Sequence, residues 1–254
     1  MSDSKRERGS TIQRILETTE FISQHDGQYK AEQVIKRLDY PSNSASKLFT
    51  DMKSAGFLQT SILGRLTLGK EFRDLAHSTL SHKHFKDKRM ILLNSLSGII
   101  GEACGISLPS GANMIYFERA QTNWPLQIHL PPGSHVPMTA TASGKLYLSE
   151  LPPSAQQTIL QNIGLQQFTR NTIVNMNDLL EDLKTIKDQK YATDNEEFIE
   201  GMSAIAVPIK NEKMAFGYLF CHAPSFRKPL NELLEHLPAM NATADKIMST
   251  MIAD

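Results

Sequence analysis

The 254-residue chain has room for one large domain or two smaller ones, carries 27 basic against 27 acidic side chains, and is 40% hydrophobic. Charge balance excludes a histone-like polycation, no apolar run is long enough to cross a bilayer, and the polar opening MSDSKRERGS does not read as a signal peptide. Cys104 and Cys221 lack CxxC spacing, so neither a disulfide framework, a structural zinc nor a redox pair is indicated, and a reduced cytoplasm is expected. The charge is unevenly spread: residues 1–70 hold eleven Lys/Arg against eight Asp/Glu, and the remainder sixteen against nineteen. A basic front on an acidic rear points to a polyanionic partner for the front.

Residues 1–8 read as a disordered tail. From Ser10 the stripe Ile12, Ile15, Leu16 and Thr19, continued by Phe21 and Ile22, predicts a helix to about Ser23, closed by His25-Asp26-Gly27. A shorter helix is expected over Lys30–Leu38, burying Ala31, Val34, Ile35 and Leu38. Asp39-Tyr40-Pro41 makes a tight turn, and Ser42 stands where an N-cap belongs. The third helix then runs to about Ala55, with Ala45, Leu48, Met52 and Ala55 inward and Gly56 as its C′ residue. Phe57-Leu58 and Leu66-Thr67-Leu68 are strand-like runs joined by a loop holding Gly64-Arg65.

Three helices and a hairpin, with a short turn between the second and third helix, is the winged helix-turn-helix order, here over residues 9–69. The third helix is then the one that enters the major groove. Its outward face carries Asn43, Ser44, Ser46, Lys47 and Thr50, side chains that hydrogen-bond base edges or phosphates. Arg65 at the hairpin tip is placed to reach a phosphate or the minor groove.

A linker helix follows over residues 70–83, with Phe72, Leu75, Ala76 and Leu80 on one stripe. Ser81–Arg89 reads as a charged, solvated joint in which His82 and His84, two apart, point to different faces and are not metal ligands. The second domain, 84–254, opens with an amphipathic helix from Met90 to Ala103. Its stripe is Leu92, Leu96, Ile99 and Ala103, widened by Leu93 and Ile100, and Gly105 ends it. Strands are expected at Ile106–Leu108, Met114–Glu118 and Leu126–Leu130, then helices after Gly144, at Pro153–Ile163 and at Met176–Lys190, the last with Leu179, Leu180, Leu183 and Ile186 inward. In Tyr191–Ile209 an acidic half precedes a buried strand. Met214–Phe220 pairs with that strand around Asn211-Glu212-Lys213, and a final helix covers about Leu230 to Ile252. The fold class is therefore α/β in two domains, the second with a mostly antiparallel sheet under helices.

Within the second domain, Pro131–Leu151 stands out. Thr139, Ala140, Thr141, Ala142, Ser143 and Gly144 are six small residues opening a helix. Uncovered N–H groups at such a helix start carry the positive end of the helix dipole and suit a carboxylate or phosphate. Small residues also simply let two elements pack closely.

Two long stretches resemble the IclR family of bacterial transcriptional regulators. Pro132–Leu151 is similar to that family's G-x-x-x-P-x-x-A-T-A-x-G-K-A-x-L-A, and Tyr191–Pro208 to its Y-A-x-D-x-E-E-x-x-x-G-x-x-x-I-A-x-P. Gly164-Leu165 followed by Thr169–Ile173 matches the short piece between them. The resemblance implies a ligand-responsive, DNA-binding regulator with a GAF-like effector-binding domain, acting as a homodimer or homotetramer on double-stranded operator DNA. It implies a small organic or aromatic acid as effector, a carboxylate, with no cofactor, metal or membrane partner. Carried over by position, one pocket wall is Thr139, Ala140, Thr141 and Gly144, and the other is Asp194, Glu197, Ser203, Ala204 and Ile205. In this picture the N–H groups of Ala142–Gly144 hold the anionic end, and Asp194 accepts a bond from a hydroxyl.

The chain departs from the family at several of these positions. Ala204 stands where many members have Cys, and Phe220 and His222 replace serines of the last strand, making that wall bulkier and more apolar. In the wing Leu66 replaces an aromatic, and in the recognition helix Ser42 and Lys47 stand where Lys and Arg are common. Catalysis is not expected. A phosphate loop at Gly144-Lys145 would need glycine at Thr139 and Ser or Thr at Leu146, the acidic run Asp194, Glu196, Glu197, Glu200 lacks calcium-loop spacing, and no G-x-S-x-G is present. The alternative is a DNA-binding scaffold whose pocket has closed around Phe220 and His222.

Overall fold

The computed structural model describes residues 10–252 apart from 26, 62–63, 81–82, 126–127 and 213–214. The tail expected over 1–8 and the tip of the first hairpin lie outside the described residues. The chain divides into two compact units, Met1–His82 and Lys83–Asp254.

The first unit holds α1 (Thr11–Gln24), α2 (Ala31–Arg37), α3 (Ser42–Ser54), the hairpin β1 (Leu58–Thr60) and β2 (Leu66–Leu68), and α4 (Lys70–Leu80). Its core is Ile22, Val34, Ile35, Ala45, Leu48, Phe49, Met52, Leu58 and Leu66, which joins all three helices to the hairpin. Such burial is the dominant stabilising term for a unit this small. Gly56 takes a left-handed φ of +78° and ends α3 as expected. The N-cap of α3 is Pro41, not Ser42, with no side-chain cap bond; Ser42 is the first helical residue. The stripe of α1 also turns out wider than its buried face. Thr18 and Ile22 are buried, whereas Ile12 and Leu16 are 71% and 61% exposed. Leu75 of α4 is likewise exposed, while Phe72 packs edge-on against Phe57 at 5.1 Å.

In the second unit α5 (Lys83–Ile100) is followed by β3 (Ala103–Ser110), β4 (Asn113–Ala120), β5 (His135–Pro137), α6 (Ala142–Glu150), α7 (Pro153–Ile163) and α8 (Met176–Gln189). Then come β6 (Ala192–Asn195), β7 (Met202–Lys210), β8 (Ala215–Pro224), α9 (Leu230–Leu234) and α10 (Leu237–Ile252). The six strands form one antiparallel sheet in the order β5-β4-β3-β8-β7-β6. Two apolar layers cover it. Leu93, Leu96 and Ile100 of α5 and Met240, Ala244 and Ile247 of α10 pack with Ile205, Val207, Leu219 and Cys221 on one face. Leu146 and Leu148 of α6 and Leu179, Leu183 and Ile186 of α8 pack with Tyr116, Ala204, Ala206 and Phe220 on the other.

Several expected boundaries shift, each for a physical reason. Gly101, at φ +79°, ends α5, because Gly105 lies inside β3, where a Cβ would fall 2.5 Å from Glu118 O and 2.6 Å from the Phe220 ring. The described part of the expected strand at Leu126–Leu130 is not strand; β5, inside the proline-rich segment, takes the sheet edge instead. The last helix breaks at Glu235–His236, just before Pro238 in the first turn of α10. Leu180 and Ile99 are 39% and 62% exposed, beside the buried stripes rather than on them. The charged joint is not all solvated either. Arg89 is fully buried and forks onto Glu118, Nε to Oε2 at 2.8 Å and Nη2 to Oε1 at 2.5 Å.

Candidate functional site

On α3 the 3.6-residue period puts Ala45, Leu48, Phe49 and Met52 inward and leaves Ser42, Asn43, Ser44, Ser46, Lys47 and Thr50 exposed on the first three turns. Two of these are partly committed: Ser44 Oγ donates to Pro41 O and accepts from Arg14 Nη1, and Thr50 Oγ1 donates to Ser46 O. Asn43 and Lys47 have no side-chain hydrogen bond among the described residues. Arg65 lies at the start of the returning strand, bridged to Lys30, and its Nη1 donates to Gly27 O at 3.1 Å. It is held against the α1–α2 loop instead of projecting from the tip.

In the second unit the α6/α8 face of the sheet carries the other constellation. Antiparallel partners share a face, so Asp194, Ala204 and His222 form one row and Ala192, Ala206, Phe220, Gly105 and Arg119 the next. Small side chains at Ala192, Ala204 and Ala206 leave the middle of this face low. Tyr116, Phe220 and His222 form a stacked aromatic wall, with centroids 4.2 Å apart for Tyr116–Phe220 and 5.8 Å for Phe220–His222.

Around that wall the buried polar groups are incompletely bonded, which is uncommon in a folded protein and calls for an explanation. Asp194 is fully buried. Its Oδ1 accepts from Glu197 N at 2.7 Å and Phe198 N at 3.3 Å, while Oδ2 has no partner among the described residues. Burial, and then the nearby Glu197 carboxylate, raise its pKa from 3.8 to about 7. Glu197 Oε1 takes the buried Lys145 ammonium at 2.6 Å, and Oε2 is bare. Burial alone would lower the Lys145 pKa, but Glu197 and Asp182 outweigh it and hold the pKa above the ordinary value. Both His222 nitrogens lack partners among the described residues, and burial followed by the Arg119 charge lowers its pKa to about 3. Arg119, 5% exposed, donates from Nη2 to Ile128 O at 2.7 Å and leaves Nε and Nη1 without a partner among the described residues.

The turn before α6 is built differently from the sequence expectation. Thr141 is the N-cap: its hydroxyl donates to Pro137 O at 2.6 Å and accepts from Gly144 N at 3.3 Å. The N–H groups of Ala142 and Ser143 remain without a partner among the described residues. Gly144 faces backbone, since a Cβ there would sit 2.3 Å from Met138 O and 2.4 Å from Met138 Cα. Close packing of the turn, not room for a ligand, fixes this glycine. Thr139 and Ala140 are buried in the same turn.

Thus the structure brings Asp194, Glu197, Ala204, Phe220 and His222 to one face of the domain, with the Thr139–Gly144 turn on the helix that covers it. Ser203 and Ile205 it does not. Side chains alternate along β7, so Ile205 lies in the α5/α10 core, and Ser203 Oγ bonds Ser225 Oγ at 2.9 Å. Missed from sequence were Arg119, Lys145 and Tyr116. Arg119 reaches this face because the β3–β4 register jumps from Ile106↔Glu118 to Ser107↔Tyr116, leaving Phe117 as a bulge that re-aims the residues after it. Among the described residues, no group of His, Cys, Asp and Glu fit to hold a metal ion occurs, and no helix is long and apolar enough to cross a membrane.

Residues 77–248 match the family described as the bacterial transcriptional regulator IclR C-terminal domain. Over 239 residues the chain is 28% identical to the probable transcriptional regulator SauR of Cupriavidus necator, covering 93% of this chain and 95% of that protein. Its fold is similar to the inducer-binding domain of the PobR transcription factor from Acinetobacter, solved as a double mutant with 3-hydroxybenzoic acid. That match has a TM-score of 0.60 at 25% identity, covering 64% of this chain and 97% of that one. An IclR homolog from Microbacterium hydrocarbonoxydans, complexed with 4-hydroxybenzoate, aligns with a TM-score of 0.62 at 17% identity over 96% of this chain and 100% of its own. With the family's C-terminal domain spanning well over half of its residues, behind a winged helix-turn-helix unit, the chain belongs to the IclR family of bacterial transcriptional regulators.

Proposed function

We propose that this regulator binds operator DNA as a homodimer or homotetramer through the exposed face of α3. A small carboxylate effector, held between the sheet and the turn before α6, would change its operator affinity. The set of buried, unbonded polar atoms on Arg119, Asp194, Glu197 and His222 carries the ligand reading. A pocket closed around Phe220 and His222 would be expected to satisfy these groups internally or replace them with apolar ones. The hydroxybenzoates bound by two proteins of similar fold are small carboxylates of the class proposed here. Asn43 and Lys47 are the side chains assigned to base edges, and Ser42, Ser44, Ser46, Thr50 and Arg65 to positioning on the backbone. The domains assigned are 9–69 for DNA, 70–83 as linker and 84–254 for effector. No step in this role requires catalysis.

The test is selection of an operator from a random duplex pool, followed by titration of the complex with a panel of small carboxylates. Enrichment of a sequence whose affinity shifts with one carboxylate supports the reading, and coupling between such sites is typically about 1–3 kcal/mol and reciprocal. Enrichment without any ligand response favours the scaffold with a closed pocket.

A further inference from the structure

Arg119 is the one buried cation of the α6/α8 sheet face that lacks a carboxylate partner among the described residues. The other buried cations of the domain, Arg89 and Lys145, are paired, and so is the half-buried Arg227. Arg89 is forked onto Glu118, Lys145 lies between Glu197 and Asp182, and Arg227 is forked onto Glu102. Burying a guanidinium without a counter-ion is costly, and truncating one partner of a buried pair shows how large that cost is. The bond from Nη2 to Ile128 O fixes the plane of the group without neutralising it. Because Nη2 carries two hydrogens, one fork of parallel N–H groups, with Nε or with Nη1, stays open beside that bond. A fork of this kind matches a carboxylate in shape and charge.

The neighbours of Arg119 support an anion there. The wall formed by Tyr116, Phe220 and His222 is a stack of aromatic rings, against whose edges or outer face the body of an aromatic ligand can pack. His222, uncharged in this setting, offers one donor and one acceptor, neither of them used. The open acceptors of Asp194 and Glu197 lie across the face in β6 and the turn after it. The turn before α6, in contrast, uses its Thr141 hydroxyl and its Gly144 N–H internally.

We propose that Arg119 is the residue that selects an acid over its neutral analogue, receiving the effector's carboxylate on its open fork. This rests on the effector reading above and moves the anion from the helix start to the far end of β4.

The experiment follows thermal unfolding of the full chain with benzoate, 4-hydroxybenzoate and short aliphatic carboxylates, each beside its neutral amide at the same millimolar concentration. Arg119→Met and Arg119→Lys are compared with the parent. The expected result is a Tm rise of a few degrees for the parent with at least one acid and none with its amide, as for any ligand that binds only the folded form. Arg119→Met should lose that rise, and Arg119→Lys should keep a weaker one. Without ligand, Arg119→Met should melt no lower than the parent, because an unpaired buried charge is gone; a merely structural arginine would instead lower Tm in both variants without abolishing the response to acid. A parent that responds to an acid while Arg119→Met responds equally overturns the assignment and leaves the effector reading intact. A parent that responds to none of the acids overturns both.

Discussion

Asp194→Asn isolates the electrostatics of the site. The native carboxylate is fully buried, and its Oδ1 already accepts two backbone N–H groups of the following turn. Asparagine keeps that acceptor and removes only the charge. Because the folded pKa of Asp194 is raised, from 3.8 to about 7, its contribution to stability is fully present below pH 3.8 and is lost as pH rises through about 7. At ~1.4 kcal/mol per pH unit, the parent should lose about 2–3 kcal/mol between pH 5 and pH 8 that the variant does not lose. The facing groups are Glu197 on the same turn, Lys145 on α6, Tyr116 on β4 and His222 on β8, all present in both proteins, so their titrations largely cancel in the difference. Urea unfolding followed by the single tryptophan, Trp124, reports on this domain alone. The variant should be the more stable protein at pH 8, with the gap closing toward pH 5. Parallel pH profiles would refute the reasoning, since Asp194 would then carry the same charge in both states throughout.

Two substitutions probe the other elements. Gly144→Ala places a methyl group against the Met138 backbone, which cannot swing away as a side chain can; we expect a loss of about 1–3 kcal/mol in urea unfolding, and an unchanged midpoint would show that the turn has room after all. Lys47→Ala should weaken operator binding by about 1–3 kcal/mol if Lys47 reads a base; if it holds only a phosphate, the loss should be uniform across sequences and the salt slope should shrink by about one, as filter binding at several ionic strengths would show.

How much of this was legible in the sequence depended on whether a segment faces water. In the first unit it does: α3 is apolar on one side and polar on the other, so its buried and exposed residues separate on the 3.6 period, and Gly56 marks its end. α1 shows where that logic overreaches, because Ile12 and Leu16 continue the stripe in sequence yet stay exposed in the folded unit. The six-stranded sheet is covered on both faces, and β7 reads as an almost continuous buried run. Nothing in Ser203-Ala204-Ile205 tells which residue faces which layer, so carrying over three consecutive positions was bound to include at least one on the far side. Ala204 lies on the site face, and Ile205 on the other.

The same two-sided burial explains why Arg119 escaped notice. Glu118-Arg119 in a strand looks like a solvated edge, where neighbouring opposite charges need no special account. Inside a covered sheet the two point to opposite layers, and each must find a partner of its own. Glu118 finds Arg89, 29 residues away on α5. That leaves Arg119 on the other layer, turned there by a bulge at Phe117 that no local pattern announces. A charge in a doubly covered strand is therefore better evidence of a site than a turn of small residues: the turn can be explained by packing alone, as Gly144 is, whereas packing alone does not explain a guanidinium with no carboxylate partner among the described residues.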